Sequence, residues 1–167
     1  MTRYYHGTSV EFAFHIAEAG AILSPWEQKI QFVNMPERKP FYLRQMKDAG
    51  MQSLEELALL LASGDYPERD KEKRVKCVSL TTEYDGARSY ADQMLGGQRN
   101  GAFLYRGRGV VLGIDHDGQD RIAFVPRKVS LNGLKDVHIL GKNVTPLETR
   151  MLRHLFAPYQ ARVKRIR

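Results

Sequence analysis

The chain has 167 residues, 43% hydrophobic and 27% charged, which suits one domain with its own core and excludes a wholly disordered chain. Its formal net charge of +7 favours an anionic partner, whether nucleic acid, an anionic cofactor or an acidic protein, without choosing among them. The single cysteine, Cys77, rules out an intrachain disulfide framework, and the five histidines include no i, i+4 pair that would mark a zinc site. The N-terminus has no apolar signal core and no window has the length of a membrane span, so a cytoplasmic chain without membrane contact or bound metal is expected.

Residues 3–6 read as a short strand ending in His-Gly-Thr. Thr8 and Glu11 have capping-box spacing, so a helix is expected from about Ser9, with Val10, Ala13, Phe14 and Ala17 facing the core and Gly20 as its stop. "AILSPW" reads as extended chain. Residues 27–76 form a charged segment of helical propensity. Within it Ser53 and Glu56 repeat the capping spacing, Leu54, Leu57, Ala58 and Leu61 make an apolar stripe, and Gly64 is a stop. "DYPERDKEKR" then reads as a solvated linker, so the whole segment is expected to be a helical insertion in a mainly β domain.

From Val75 the texture changes. "VKCVSL" is a strand, with Cys77 a small core residue. "TTEYDGARSYADQML" is a helix capped by Thr82 and ended by Gly96-Gly97, with Ala87, Tyr90, Ala91 and Met94 on one face. "GAFLYRG", "RGVVLGID", "DRIAFVP", "RKVSL" and "VHILG" read as strands, with turns at "HDGQD" and "NGL". Residues 145–167 read as a basic amphipathic helix that breaks near Pro158, its Met151, Leu152, Leu155 and Phe156 inward and its arginines and lysines outward. Strands not regularly alternated with helices point to a single α+β domain rather than a doubly wound sheet.

"YYHGTS" followed at a distance by "VSLTTEYDGARSYA" resembles the ADP-ribosyltransferase fold, in the branch of diphtheria toxin and the poly(ADP-ribose) polymerases. That pattern has a strand ending in His-Gly-Thr or His-Gly-Ser, then a helix like "AFHIAEAG". A Ser/Tyr-x-Thr strand follows, then a Tyr-Asp-x-Ala-x-x-Tyr helix and a glycine-bounded strand such as "GVVLGID". The resemblance covers residues 3–22 and 77–115, and neither the insertion nor the tail. It implies a split β-sheet core and NAD as substrate. His6 would hold a ribose hydroxyl, the Gly7 backbone would pair with the nicotinamide carboxamide, Thr8 would shape the turn and Tyr90 would stack on the ring. Ser79, where some members carry a first tyrosine, and Leu80 would line the same site. Positioning and electrostatics would then carry most of the rate as the sugar becomes oxocarbenium-like.

The branch ends its triad with a glutamate on a late strand, and "GQDRIAFVPRKVSL" has none. Asp120 is the nearest carboxylate, one methylene shorter; Asp115, Asp117 and Glu148 are weaker candidates. RNA 2′-phosphotransferases share His-Gly-Thr, but "LTTEYD" does not match their pattern; Arg106, Arg108, Arg121 and Arg127 are the residues that could face a phosphate. Taken singly, His6 reads as a strand-end histidine, Tyr90 as core and Asp120 as a turn residue. The expected function is NAD-dependent ADP-ribosyl transfer to a protein or nucleic acid, with His6, Tyr90 and Asp120 catalytic. The alternatives are a silent NAD or ADP-ribose binder, or a nucleic-acid-binding module on the same fold.

Overall fold

A computed structural model describes residues 1–64, 66–94 and 107–166, the side chains of Gln93 and Met94 apart. The expected strand at 101–106, Arg106, the helix stop at Gly96-Gly97, the side chain of Met94 and Arg167 lie outside the described residues. By internal packing the chain divides into two compact units. One is Met1–Ala21, Leu80–Ala123 and Ser130–Arg167; the other is Ile22–Ser79 with Phe124–Val129. The helical segment expected at 27–76 therefore belongs to a larger unit that starts at Ile22, runs on to Ser79 and takes in a return stretch.

In the first unit Thr2–Ser9 forms β1, paired antiparallel along its whole length with β4, Gly109–His116. The strand does not end at His6. It runs through Gly7 and Thr8, and Ser9 rather than Thr8 caps α1, Val10–Ala19, accepting the Phe12 N–H at 3.2 Å. Serine is the stronger cap, and Thr8 is better placed in a strand, where its β-branch packs. Gly20 closes α1 in the left-handed conformation at φ 68, as its position foretold. Ile16 is buried in α1, whereas Phe14 is only half-buried.

The remaining strands are β2 (Ala21–Leu23), β3 (Cys77–Thr81), β5 (Ile122–Pro126), β6 (Lys128–Ser130), β7 (Leu134–Ile139) and β8 (Arg162–Arg165). A six-stranded sheet has the order β5-β3-β1-β4-β7-β8, and β2 pairs with β6 separately. The β1–β3, β1–β4 and β4–β7 pairs are antiparallel and β7–β8 is parallel. Helices beside a mostly antiparallel sheet make the chain α+β, as expected.

Register sorts the side chains. Residues opposite one another share a face, so Tyr4, His6 and Thr8 lie on the face of Ile114, Leu112 and Val110. Tyr4, Leu112, Ile114, Leu134, Val137 and Ile139 are all buried. Gly7, Ser9, Val111 and Gly109 lie on the other face. There α5, Tyr84–Ser89, continues into a π-helical turn, Tyr90–Met94. A Cβ at Gly7 would sit 2.2 Å from the Ala87 carbonyl oxygen, and one at Gly109 would sit 3.0 Å from the Ala91 carbonyl carbon. The two glycines form a shelf on which Ala87 and Ala91 pack with Val111. Tyr90, expected on that inward face, is instead 48% exposed. Glu83, not Thr82, is the cap position, and its N–H donates to the Thr81 hydroxyl at 3.1 Å.

The basic tail is not one helix. α6 runs Pro146–Phe156, a 3-10 turn follows at Ala157–Tyr159, and Gln160 at φ 55 leads into β8. Pro158 cannot continue the helix, and Val163 pairs with Val137 of β7. Leu152 and Phe156 are buried as expected, while Met151 is 45% exposed.

In the second unit Pro25 and Trp26 open α2, Pro25–Val33, instead of extending, because Ser24 caps the helix and Pro25 suits its first turn. α3 spans Lys39–Asp48 and α4 spans Leu54–Ser63, with Ser53 as its cap, Leu57 and Ala58 buried, Leu54 half-buried and Leu61 exposed. The expected linker is ordered as a 3-10 turn at Glu68–Asp70 and a π-helical turn at Lys71–Val75. Glu68–Lys71, Asp70–Arg74 and Glu72–Lys76 ion pairs at helical spacing hold it. Cys77 is half-buried rather than core; Val78 is the buried neighbour.

Gly7→Ala is expected to destabilise the chain by roughly 1–3 kcal/mol in urea denaturation, because backbone rather than a flexible side chain must move. Gly64→Ala, whose Cβ would meet nothing nearer than 3.7 Å at φ −58, is expected to be neutral or to stabilise by about 0.5 kcal/mol.

Candidate functional site

The β1–β4 ladder continues past Ser9↔Gly109, since the Val10 N–H donates to the Arg108 carbonyl at 2.9 Å. In an antiparallel ladder alternate residues turn both N–H and C=O to the same neighbour. His6 and Thr8 therefore bond to β4, while Tyr5 and Gly7 turn their backbones to the β3 side. Among the described residues the β1–β3 register consists of Tyr5↔Thr81. Gly7, two residues beyond that pair, turns one N–H and one C=O to an edge where, among the described residues, no strand pairing continues. Its face toward α5 is closed by the Ala87 carbonyl, so its polar atoms are reached along the edge.

Around that edge the other candidates fall as follows. His6 is half-buried, on the face of β1 that carries Tyr4. Thr8 is buried within the strand and shapes no turn. Leu80 is a buried core side chain. Ser79 is exposed and belongs to the second unit. Tyr90 opens the π-helical turn with its ring half in solvent. Such turns interrupt α-helices and are frequent at functional sites.

Asp120 lies exposed in the 117–121 loop. Its carbonyl accepts the Tyr4 hydroxyl at 2.8 Å, and the Thr2 hydroxyl donates to the Gly118 carbonyl at 2.7 Å. Tyr4 and His6 are alternate residues of β1, so these bonds bring the Asp120 loop to the face that bears His6. Tyr90 follows from the helix on the opposite face, and the Gly7 edge lies between the two faces.

Asp117 lies exposed in the same loop as Asp120, and the remaining candidate carboxylates and arginines among the described residues are already engaged. Asp115 accepts Arg3 Nε at 2.6 Å, and this bond holds its carboxyl below the usual range. Asp136 accepts Arg3 at 2.6 Å and Arg162 at 3.0 Å. Arg108 donates to Glu11 at 2.5 Å, to Glu148 at 2.5 Å and to the Asn143 carbonyl at 2.8 Å. Glu148 also completes a capping box with Thr145 at the start of α6. The Arg108 hydrogen bond, then the Thr145 backbone and hydroxyl, hold the Glu148 carboxyl down at about 2 against partial burial. Arg121 pairs with Glu83, and Arg127 with Glu27. Arg108, Arg121 and Arg127, read as phosphate candidates, thus serve internal ion pairs.

One group escaped the sequence reading. His138 Nδ1 lies 3.0 Å from the Tyr84 hydroxyl, with the two rings edge-to-face at 5.3 Å. Tyr84 in turn meets Tyr5 edge-to-face at 5.3 Å. His138 is in register with Val111, and Val111 with Gly7, so all three share the α5 face. Burial lowers the His138 pKa; Asp136 works against this, and Lys164 and Arg162 add to it. The only signal in the sequence was a histidine alternating with Val137 and Ile139, and its partner is 54 residues away.

Among the described residues no group of three or more His, Cys, Asp or Glu is placed to hold a metal ion, and no helix is long and apolar enough to cross a membrane. Comparison with protein-family models, curated proteins and solved structures finds no match to this chain.

Glu148 supplies the pH test of this framework. Its folded pKa lies below the ordinary 4.5, so its contribution is present above that value and is lost as the pH falls toward 2. Glu148→Gln is expected to lower the melting temperature at pH 7, with the gap to the parent chain narrowing steadily in scans from pH 5 to pH 3.

Proposed function

We propose that the chain is an ADP-ribosyltransferase that cleaves NAD and passes the ADP-ribosyl group to a macromolecule. The observation that carries this reading is the Gly7 edge: a backbone donor and acceptor side by side, unclaimed by the β3 ladder, next to a half-buried histidine. A primary carboxamide offers the complementary acceptor and donor. Gly7 would seat the nicotinamide end, Tyr90 would stack on the ring, and His6 would donate to a ribose hydroxyl. The bond from the ribosyl carbon to the nicotinamide nitrogen breaks with its electron pair leaving on nicotinamide. An acceptor nucleophile then bonds to that carbon and releases its proton.

Asp120, on the loop tied to Tyr4, would steady the cationic sugar. Ser79, Thr8 and Leu80 enter only through the sequence resemblance. A second reading, a binder of NAD or ADP-ribose that does not turn it over, is favoured by that same loop, whose carboxylate is exposed and a methylene shorter than glutamate.

The test is release of labelled nicotinamide from NAD by the full chain, with and without cell extract. The transferase reading expects label from the ADP-ribose half on an acceptor, abolished in His6→Ala, while Tyr90→Ala raises KM for NAD roughly 3- to 10-fold. A saturable thermal shift with NAD but no release would select the binder. Neither response from a folded chain would refute both.

A further inference from the structure

Strand register carries two rows of side chains across the α5 face of the first unit. Gly7 pairs with Val111, Val111 with His138 and His138 with Lys164. In the next row Tyr5 pairs with Gly113, Gly113 with Asp136 and Asp136 with Arg162. Gly113 brings no side chain, and the Tyr84 ring meets Tyr5 and His138 edge-to-face, its centroid 5.3 Å from each. Tyr84 therefore stands over β4 and reaches His138 from that side. Its hydroxyl lies 3.0 Å from Nδ1, which puts Nε2, at the far edge of the imidazole, toward β8. α6, tied to Arg108, packs on β8 from the opposite face.

Three donors meet on the β8 side. Backbone to backbone, Lys164 is about 4.8 Å from His138 across the ladder and about 6.6 Å from Arg162 along β8. Arg162 gives Nε and Nη2 to Asp136 at 3.0 Å. Among the described residues its Nη1, the Lys164 ammonium and His138 Nε2 have no partner. Asp136 is buried and also shared with Arg3, which in turn holds Asp115. In these rows Lys164 is thus the cation that no carboxylate balances.

We propose that Lys164, His138 and Arg162 bind the dianionic phosphate of a phosphomonoester. A triangle of donors suits a tetrahedral group with three free oxygens, whereas a carboxylate presents two in one plane. A phosphodiester has two free oxygens and one charge, so a terminal phosphate fits better. Lys164 supplies one positive charge and His138 the second. Burial keeps the His138 pKa below its usual value; Asp136 opposes this, and Lys164 and Arg162 add to it. Tyr84, the group facing it from α5, is kept a neutral phenol by burial. A bound dianion reverses that balance, so the site takes up a proton as it fills. Gly7 lies two strands away beneath Ala87, so the inference stands apart from the NAD reading.

The experiment is 15N spectroscopy of the full chain labelled with 15N-histidine, titrated with ribose 5-phosphate at pH 7.5, the His138 signals assigned by their loss in His138→Gln. His138 should shift saturably while the exposed His15 and His154 stay unmoved. Lys164→Gln should bind about tenfold more weakly, at an unchanged melting temperature. Arg150→Gln with Arg153→Gln, exposed on α6, should bind as the parent does. Sulfate, a dianion throughout, should bind more tightly by calorimetry as the pH falls from 7.5 to 5.5, and His138→Gln should lose that trend. A decanucleotide distinguishes the source of the phosphate. The ligand is a free ester if ribose 5-phosphate binds at least as tightly, and a nucleic-acid end if the decanucleotide binds more tightly but only with its 5′-phosphate. A His138 signal indifferent to both would overturn the proposal. So would a Lys164→Gln variant that binds like the parent, or sulfate binding that ignores pH.

Discussion

At Gly7 the carbonyl of Ala87 occupies the space that any side chain would need. The first unit is arranged around that contact. It brings α5 down onto β1 and β4, with Gly109 making the same allowance for Ala91. It also closes the α5 side of the Gly7 backbone. A glycine here has a packing reason that needs no ligand. The same missing Cβ permits the close approach a planar carboxamide would require, and one atom's absence serves both demands.

Arg108 is the second fixed point. It binds Glu11 of α1 and Glu148 of α6 from the residue just before β4, so two helices and the β1–β4 ladder meet at one guanidinium. Loss of Arg108 would leave two partly buried carboxylates without their common cation, whereas loss of either glutamate leaves Arg108 paired with the other. This explains why an arginine adjacent to a glycine-bounded strand, which looks available for phosphate in the sequence, is committed to the scaffold.

Much of the local structure was legible. The helix stops at Gly20 and Gly64, the cap at Ser53, and the strands at "GVVLGID", "DRIAFVP" and "VHILG" follow from backbone chemistry that acts within a few residues. What misled was long range or finely balanced. Thr8 and Ser9 are both competent caps, and only the eight-residue ladder to β4 decides that Thr8 stays in the strand. The last residues read as helix because basic residues are good helix formers; pairing with β7, which a local window cannot register, makes them a strand. Of the candidate site, the motif placed His6 and Gly7 on β1, and the Tyr4 hydroxyl ties the loop of Asp120 to the same face of that strand. The Tyr84–His138 bond, between elements far apart in the chain, could not be read from spacing.

If the Gly7 edge receives a carboxamide, the Gly7 amide must respond to nicotinamide. The most direct test is a nicotinamide titration of the full chain labelled with 15N-glycine, followed through the Gly7 amide resonance, assigned by its loss in Gly7→Ala. A saturable downfield shift of Gly7 is expected, as its N–H gains an acceptor, while Gly64 and Gly118 stay unmoved. A Gly7 resonance that does not respond at saturating nicotinamide, in a chain whose other glycine signals report a folded protein, would contradict it.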